Sequence, residues 1–385
     1  MRTIGISFES HFEGGNGELL AIDGDEVCFR VDKRKSPVCL WWYVKLDGVA
    51  GRRVRLVLQE VSARAGGAME YADGKVRPVA SVDGGPWRRL RPGFVDAEAD
   101  KVTFEVPFAS TARRARVAFC YPYVYSDLWR ACRQWRKLPG VSVGSLVTSQ
   151  GGRDVPLLLI GDPDSAPRDM VAIVARQHAG ETPGSFVLEG ILEALTGSGP
   201  VGKWARSKAL IAVVPAVDVD NVAEGGYGKD ERPVDYNRDW LKPRRPQTKA
   251  LRRLLADLAS RHRYRVFLDL HAPWTADPNM LVWTPPELVD EATGRAQDRL
   301  ARLIFAHQTA AFDVAWSDCL ATPESWGNWQ LMSGIRQAID HGVASVCVET
   351  TYHRTHAGRW ASPHLYRGHG RAIARAVVDF CREDS

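Results

Sequence analysis

The sequence lacks the features that would place it among disulfide-rich, membrane or nucleic-acid-binding proteins. Its seven cysteines are odd in number and scattered, without a CxxC pair, which argues against a disulfide framework or a cysteine-based metal site. No segment approaches the ~18 consecutive apolar residues of a transmembrane helix, and the opening residues MRTIGISFES have no apolar signal core. The basic residues form no long run. These absences predict a cytoplasmic protein with reduced thiols and with no nucleic-acid or membrane partner.

The sequence does contain enough apolar material for more than one folded unit. It has 385 residues, of which 45% are hydrophobic and 25% are charged. This composition is typical of a globular protein with a sizeable core, and the length suits two domains better than one. The net charge of +5 weakly favours an acidic partner, although solvated surface charge is the simpler explanation.

Residues 1–125 have the pattern of short β-strands. Runs such as EVCFRVD, RRVRLVLQEV and KVTFEVPF are rich in β-branched and aromatic residues, and turn signals such as DGD and DGGP separate them. This spacing predicts an antiparallel β-sandwich domain over residues 1–125. Residues 126–140, SDLWRACRQWRKLPG, predict a connecting helix that the final Pro-Gly pair ends.

Residues 141–385 change to apolar strands that alternate with amphipathic helices. The predicted strands are MVAIVA (170–175), ALIAVVPAVD (209–218), YRVFLDLH (264–271) and VASVCVET (343–350), and the predicted helices lie near 185–197, 247–262, 290–312 and 363–382. Nearly continuous apolar strands alternating with helices imply an α/β fold. We therefore expect a mixed, mostly parallel sheet that is covered by helices.

Polar side chains follow the predicted strands at the edge where active sites of open α/β sheets form. They are His178 and Glu181 after the first strand, His271 at the end of YRVFLDLH, Glu349 at the end of VASVCVE, and Asp235, Asn237 and Arg238 in the DYNRDW segment beyond ALIAVVPAVD. We expect these side chains to converge on one rim of the sheet.

Two histidines and one glutamate are the ligand set of a catalytic zinc site that keeps a fourth position open. His178 and Glu181 could reach one ion from a tight turn, which Gly180 allows, and the distant His271 would complete the set. This predicts one Zn²⁺ per chain. Glu349 is left over, and it could act as general base on the attacking water and then pass the proton to a leaving amine.

Asn237 and Arg238 could hold a substrate carboxylate by a hydrogen bond and a bidentate ion pair. Each candidate also has a structural explanation. His271 could be a buried core histidine, Glu349 a surface charge at a strand end, and Arg238 the ion-pair partner of Asp235 or Asp239. The full ordered set, each member at a strand end, favours a site over these separate explanations.

The ordered motifs resemble those of the zinc carboxypeptidases related to carboxypeptidase A, and in particular their cytosolic carboxypeptidase subfamily. In the second half the likeness is carried by ARQHAGETPGSFVLEGILEAL, VVPAVDVDNVAEGGYGKDERPVDYNRDW, FLDLHAP and SVCVETTYH. In the first half FESHFEGGN, LWWYVKLDG, SVDGGPWRRL and AFCYPYVYSDL resemble the β-sandwich domain that precedes the peptidase. The likeness covers nearly the whole chain.

The resemblance implies a catalytic domain over residues 141–385 and a role for each candidate residue. It makes His178, Glu181 and His271 the zinc ligands, Glu349 the catalytic base, Asn237 and Arg238 the residues that bind the terminal carboxylate, and Asp235 the residue that orients His178. The implied enzyme is a zinc metallocarboxypeptidase, a hydrolase that removes C-terminal residues from peptides or protein tails. The subfamily's preference for C-terminal glutamate implies that acidic residues are favoured.

One departure from the family pattern concerns the arginine that stabilises the oxyanion. In an ungapped match of GGYGKDERPVDYNRDW that position falls on Gly228, and Lys229 or Arg232 could substitute for it. The loss of one oxyanion donor typically costs about 100- to 1,000-fold in rate.

Two other functions are compatible with the same residues. One is a zinc deacylase of N-acyl amino acids, similar to aspartoacylase, although a β-sandwich ahead of the site argues against it. The other is a peptide-binding protein that retains zinc but has weak activity, although Glu349 argues against that. The preferred C-terminal residue, the biological substrate and the oligomeric state stay open.

Overall fold

The computed structural model of the protein describes residues 5–166, 168–310, 312 and 329–382. Its first part is built from ten strands and one short helix. The strands are β1 (Ser7–Glu9), β2 (Glu18–Asp23), β3 (Glu26–Arg30), β4 (Tyr43–Asp47), β5 (Arg53–Gln59), β6 (Val79–Val82), β7 (Arg88–Arg89), β8 (Phe94–Asp96), β9 (Lys101–Pro107) and β10 (Arg114–Ala118), and the helix is α1 (Val61–Arg64).

These strands form two five-stranded sheets with the orders β1-β4-β10-β6-β7 and β2-β3-β5-β9-β8. In β9 every second residue (Val102, Phe104 and Val106) is buried, while its neighbours are more exposed. This alternation is expected when one face of each sheet covers the core. The predicted β-sandwich is confirmed, and its neighbouring strands are antiparallel except for β3 and β5. That pair is parallel because the chain passes through β4, in the other sheet, before it returns.

The second part contains seven strands and eight helices among the described residues. The strands are β11 (Val141–Thr148), β12 (Asp154–Ile160), β13 (Asp169–Ala175), β14 (Ala209–Val214), β15 (Arg263–His271), β16 (Met280–Val282) and β17 (Ala344–Glu349). The helices are α2 (Tyr125–Trp135), α3 (Pro183–Thr196), α4 (Pro200–Lys208), α5 (Val219–Glu224), α6 (Pro246–Arg261), α7 (Glu291–Ala306), α8 (Ser333–His341) and α9 (Pro363–Arg382).

Two helices end earlier than the sequence pattern predicts. The connecting helix α2 ends at Trp135 and not at residue 140. A proline disfavours the helical conformation of the residue before it, so the helix is expected to end ahead of Pro139. The predicted helix over 290–312 is α7, which ends at Ala306. Residue 311 and residues 313–328 lie outside the described part of the chain.

The seven strands form one sheet with the order β11-β12-β14-β13-β15-β17-β16. The four inner strands β14, β13, β15 and β17 run parallel, and the three outer pairings are antiparallel. All residues of β13 and β14 are buried, as expected for parallel strands that are covered on both faces. The predicted α/β fold with a mixed sheet is therefore confirmed.

The strand register brings the ends of β13, β15 and β17 side by side. Ala175 lies opposite Leu270, and His271 lies opposite Glu349. Residues that directly follow these strands must therefore meet at one edge of the sheet. None of the helices within the described ranges is long and apolar enough to span a bilayer.

Candidate active site

A tight turn carries the chain from β13 into α3 and holds His178 and Glu181 at the edge of the sheet. The turn is crowded, because a Cβ atom on Gly180 would lie 2.3 Å from Cδ2 of Tyr227 and 3.0 Å from Cβ of Trp41. Only glycine fits at that position. The HAGE segment is therefore fixed between the Tyr227 loop and the β-sandwich.

The structure brings His178, Glu181 and His271 into one buried cluster. Glu181 places Oε1 2.9 Å from Nδ1 of His178 and Oε2 2.7 Å from Nδ1 of His271. One donor atom from each of the three residues lies within 4.8 Å of the other two. Both Nδ1 atoms thus face the same carboxylate, although the two histidines are far apart in the sequence.

The other ring nitrogen of each histidine is held by a second carboxylate. Nε2 of His178 lies 3.0 Å from Oδ2 of Asp235, and Nε2 of His271 lies 3.0 Å from Oδ1 of Asp269. A carboxylate at Nε2 keeps the proton on that nitrogen and orients the ring, which leaves Nδ1 as the ligand atom. Two such nitrogens and a carboxylate oxygen are a donor set that suits zinc.

Sequence reasoning included Asp235 but missed Asp269. The signal was present, since Asp269 stands two residues before His271 on β15, and side chains two apart share one face of a strand. Gln177 donates to Oδ2 of Asp269 at 2.7 Å, and Ser333 Oγ also donates to that oxygen. Asp269 is therefore itself held in place.

Charge in the cluster is balanced by close pairing. Burial alone would lower the pKa of both histidines, but the carboxylates beside them raise the pKa of each ring above its ordinary value. Burial opposes ionisation of Glu181, but His178, His271 and Lys229 hold its pKa well below the usual range. Glu181 is therefore anionic.

Glu349 ends β17, with its carboxylate at the wall of the same cavity. Its Oε1 lies 3.6 Å from Sγ of Cys347, while Oε2 has no hydrogen-bond partner among the residues that the structure describes. Burial raises the pKa of this carboxyl above its ordinary value. A buried carboxylate with one free oxygen is suited to accept a proton.

Asn237 and Arg238 lie on a short 3-10 turn, Tyr236–Arg238, and Asp235 caps it by accepting from N–H of Asn237 at 2.6 Å. Nδ2 of Asn237 lies 3.2 Å from Nε2 of His271, and its Oδ1 accepts from N–H of Ser333 at 2.9 Å. Arg238 is half-buried and faces the cavity. The turn places both side chains next to the histidine cluster.

These residues surround a cavity of about 330 Å³, a size suited to a small-molecule or peptide-end site. The lining residues are His178, Lys229, Asp230, Asn237, Arg238, His271, Pro273, Trp274, Asp277, Met280, Met332 and Glu349. Sequence reasoning missed the apolar wall of Trp274, Met280 and Met332, because these residues lie on irregular segments or at element ends that carry no periodic pattern.

The structure distinguishes between the two residues that could substitute for the family's oxyanion arginine. Lys229 lines the cavity, with Nζ 3.5 Å from Oε1 of Glu181. Arg232 has an exposed side chain outside the cavity lining, and its backbone N–H donates to the Lys35 carbonyl. Gly228 has a φ of 85°, and a Cβ there would lie 2.7 Å from Oδ2 of Asp218. No larger side chain fits at that position without a shift.

Comparison with known proteins supports the same interpretation. The family model of the cytosolic carboxypeptidase N-terminal domain matches residues 8–121. Cytosolic carboxypeptidase 6 of Mus musculus is 24% identical over 412 residues, covering 99% of this chain and 74% of the relative. Cytosolic carboxypeptidase 6 of Caenorhabditis elegans is 30% identical over 287 residues, and the match spans 69% of this chain and 62% of that relative.

Solved structures share the fold over almost the whole chain. A metallo-carboxypeptidase from Burkholderia cenocepacia superposes with a TM-score of 0.82 at 20% identity, covering 99% of this chain and 100% of that one. A metallo-carboxypeptidase from Pseudomonas aeruginosa, solved in complex with (2-guanidinoethylmercapto)succinic acid, has a TM-score of 0.81 at 20% identity, with 98% and 99% covered. At this identity the likeness establishes the fold alone.

The chain is therefore a metallocarboxypeptidase, a class of hydrolase, as the fold and its named relatives together define it. Within that class it resembles the cytosolic carboxypeptidases, whose N-terminal domain model matches residues 8–121. The predicted resemblance is confirmed.

Proposed function

We propose that the protein is a zinc-dependent carboxypeptidase that hydrolyses the C-terminal peptide bond of peptides or protein tails. One observation carries the proposal. The Nδ1 atoms of His178 and His271 and the Glu181 carboxylate face one another beside the cavity that Glu349 also lines. A metal-ligand set and a spare carboxylate on one cavity are what hydrolysis by an activated water requires.

In this proposal His178, Glu181 and His271 hold one Zn²⁺ per chain. The bound ion would supply Lewis acidity, which polarises a substrate carbonyl and makes a water molecule more acidic. Asp235 and Asp269 keep the two imidazole rings oriented, since a carboxylate oxygen of each lies 3.0 Å from Nε2 of one ring.

Glu349 acts as the general base. Its free Oε2 accepts a proton from the water whose oxygen attacks the carbonyl carbon of the last peptide bond. When the carbon–nitrogen bond breaks, the same carboxyl gives this proton to the leaving amine nitrogen. The products are a peptide shortened by one residue and a free amino acid.

Arg238 and Asn237 restrict the reaction to chain ends. We propose that the Arg238 guanidinium pairs with the substrate's terminal carboxylate and that the Asn237 amide donates to it. A peptide that continues past the scissile bond offers no carboxylate there. The enzyme should therefore act as an exopeptidase.

The preference for an acidic C-terminal residue stays a prediction. The net charge of +5 supports it, and so do Lys229 and Arg238 in the cavity lining. Asp230 and Asp277 line the same cavity and would repel an acidic side chain that came near them. A peptide series is needed to decide between acidic and apolar residues.

The cytosolic location implied by the relatives' names supports the proposal that this protein also acts in the cytoplasm.

The test uses the purified protein and peptides that differ only in their last residue, with stepwise mass loss followed by mass spectrometry. We expect loss of one residue at a time, abolished by a chelator and restored by Zn²⁺. Glu349→Gln should lower kcat about 100- to 10,000-fold while zinc content stays near one per chain.

Glu193→Gln is the matched control, because Glu193 is an exposed carboxylate on α3 that pairs with Arg371 away from the cavity. It should keep full activity. Cleavage of N-acyl amino acids without cleavage of any peptide would instead assign a deacylase, and metal-dependent peptide binding without cleavage would assign a binding protein.

A further inference from the structure

We propose that Lys229 stabilises the oxyanion in this protein, by donating an ammonium N–H to the carbonyl oxygen of the scissile bond as negative charge develops on it. This inference rests on the proposed function. It assigns to Lys229 a task that the family pattern places on the preceding position, where this chain has Gly228.

Lys229 is placed where a developing oxyanion would need a cation. Its side chain lines the cavity together with His178, His271 and Glu349, and it is 23% exposed. Its Nζ lies 3.5 Å from Oε1 of Glu181. A carbonyl that lies between the histidine cluster and Glu349 is therefore within reach of the ammonium group.

The ammonium group is available because Glu181 has other polar partners at shorter distances. The Glu181 carboxylate already lies 2.9 Å from Nδ1 of His178 and 2.7 Å from Nδ1 of His271, and it accepts from the backbone N–H of Ala272 at 3.1 Å. Lys229 donates no hydrogen bond to any residue in the described ranges, and its contact with Glu181 is longer than a normal hydrogen bond. Its donors are thus free to bind a substrate oxygen.

The backbone of the loop fixes Lys229 relative to the metal-ligand turn. The carbonyl of Tyr227 accepts from N–H of Gly180 at 3.0 Å, which ties the loop to the segment that carries His178 and Glu181. Gly228 is in the left-handed region, with 3.2 Å between a Cβ built there and the Ala179 nitrogen. Position 228 therefore has no room for a side chain, and the next residue, Lys229, lines the cavity.

The test compares Lys229→Met, which keeps the length but removes the charge, with Lys229→Arg and with the exposed-lysine control Lys242→Met. We expect Lys229→Met to lower kcat about 100- to 1,000-fold with KM changed less than about threefold, as for loss of one oxyanion donor. Lys229→Arg should recover most of the rate, and Lys242→Met should match the unaltered protein.

A binding measurement separates stabilisation of the oxyanion from effects on substrate binding. A phosphinic analogue of the best peptide carries the tetrahedral anionic group, and calorimetry should show it bound about 100- to 1,000-fold more weakly by Lys229→Met. The uncleaved peptide itself, measured in the Glu349→Gln background, should bind equally well with and without Lys229→Met. Zinc content and the thermal midpoint should not change.

Unchanged kcat in Lys229→Met would overturn the inference, and so would equal weakening of the peptide and the phosphinic analogue. Loss of zinc in step with activity would also overturn it, because Lys229 would then serve only to balance the charge of Glu181. Absence of both peptide cleavage and phosphinic binding in the unaltered zinc-loaded protein would overturn the proposed function itself.

Discussion

At the scale of single residues, the environment of the two histidines decides what the site can bind. The side-chain carboxylate of Asp235 has three hydrogen-bond donors among the described residues. It accepts from Nε2 of His178, from N–H of Asn237 at 2.6 Å, and from N–H of Asp230 at 2.8 Å. One carboxylate therefore orients a candidate ligand and shapes the loop that carries the two proposed substrate-binding residues.

We predict that Asp235→Asn weakens zinc binding about 10- to 100-fold, because loss of such a partner leaves the imidazole less basic and less well oriented. Competition with a chromogenic chelator measures the affinity. Asp239→Asn is the control, since Asp239 accepts two backbone N–H groups, from Arg244 and Arg245, but touches neither histidine. Equal zinc affinity in the two variants would show that the Asp235 contact does not tune the metal centre.

The sequence indicated the polar residues around the cavity better than its apolar wall. His178, Glu181, His271 and Glu349 stand at strand ends, where the alternation of strands and helices along the chain is enough to indicate convergence. Asp269 could have been found by strand periodicity. Trp274 and Met332 could not, because no local pattern relates an irregular segment to a cavity that tertiary packing creates.

At the scale of secondary-structure elements, the contact between α3 and α9 depends on glycine. A Cβ on Gly190 would lie 2.0 Å from the Arg367 carbonyl oxygen, and a Cβ on Gly370 would lie 2.0 Å from the Val187 carbonyl oxygen. The two helix backbones therefore approach more closely than any side chain permits. Helix α3 begins just after the HAGE turn, so this packing also fixes the candidate site.

We predict that Gly370→Ala lowers the free energy of unfolding by about 1–3 kcal/mol through overpacking, although alanine is the better helix former. Gly368→Ala is the matched control in the same helix, because the nearest atom to its added Cβ is Arg371 Nη2 at 3.8 Å. That variant should gain up to about 1 kcal/mol. Urea unfolding measures both, and stabilisation by both changes would contradict the close-packing argument.

At the scale of the whole molecule, Arg89 joins the β-sandwich to the second half of the chain. From β7 it donates to the carbonyl of Tyr352 at 2.9 Å and to that of Ala361 at 2.8 Å. Its Nη1 lies 3.0 Å from Nδ1 of His353. Burial, with Arg89 adding to it, holds the pKa of His353 well below its ordinary value, so the neutral ring can accept this bond.

We predict that Arg89→Met lowers the free energy of unfolding by about 1.5–3 kcal/mol, because charge-assisted bonds to backbone carbonyls are lost. The exposed neighbour Arg88→Met should change it by less than about 0.5 kcal/mol. The urea midpoint of each full-length variant checks this. If Arg88→Met and Arg89→Met gave the same midpoint, Arg89 would not be what links the two halves.

The interface between the halves also forms part of the candidate site. Tyr227, Ala272 and Tyr352 belong to the second half of the chain but are buried in the hydrophobic core of the β-sandwich. A Cβ on Gly66, from the sandwich, would lie 3.3 Å from Trp274, which lines the cavity. The boundaries at residues 125 and 140 stay a prediction, since two units that share a core are not divided by their strand pattern alone.

By itself the sequence determined that a β-sandwich is followed by an α/β fold, and it determined the order of the polar residues at the predicted strand ends. Strand periodicity and apolar runs are local properties that the chain carries before it folds. Only the tertiary structure decided that Lys229 and not Arg232 reaches the cavity, that Asp269 holds His271, and that the β-sandwich supports one wall of the site. Those facts depend on contacts between residues distant in sequence, and the close packing that creates such contacts leaves no local pattern from which to predict them.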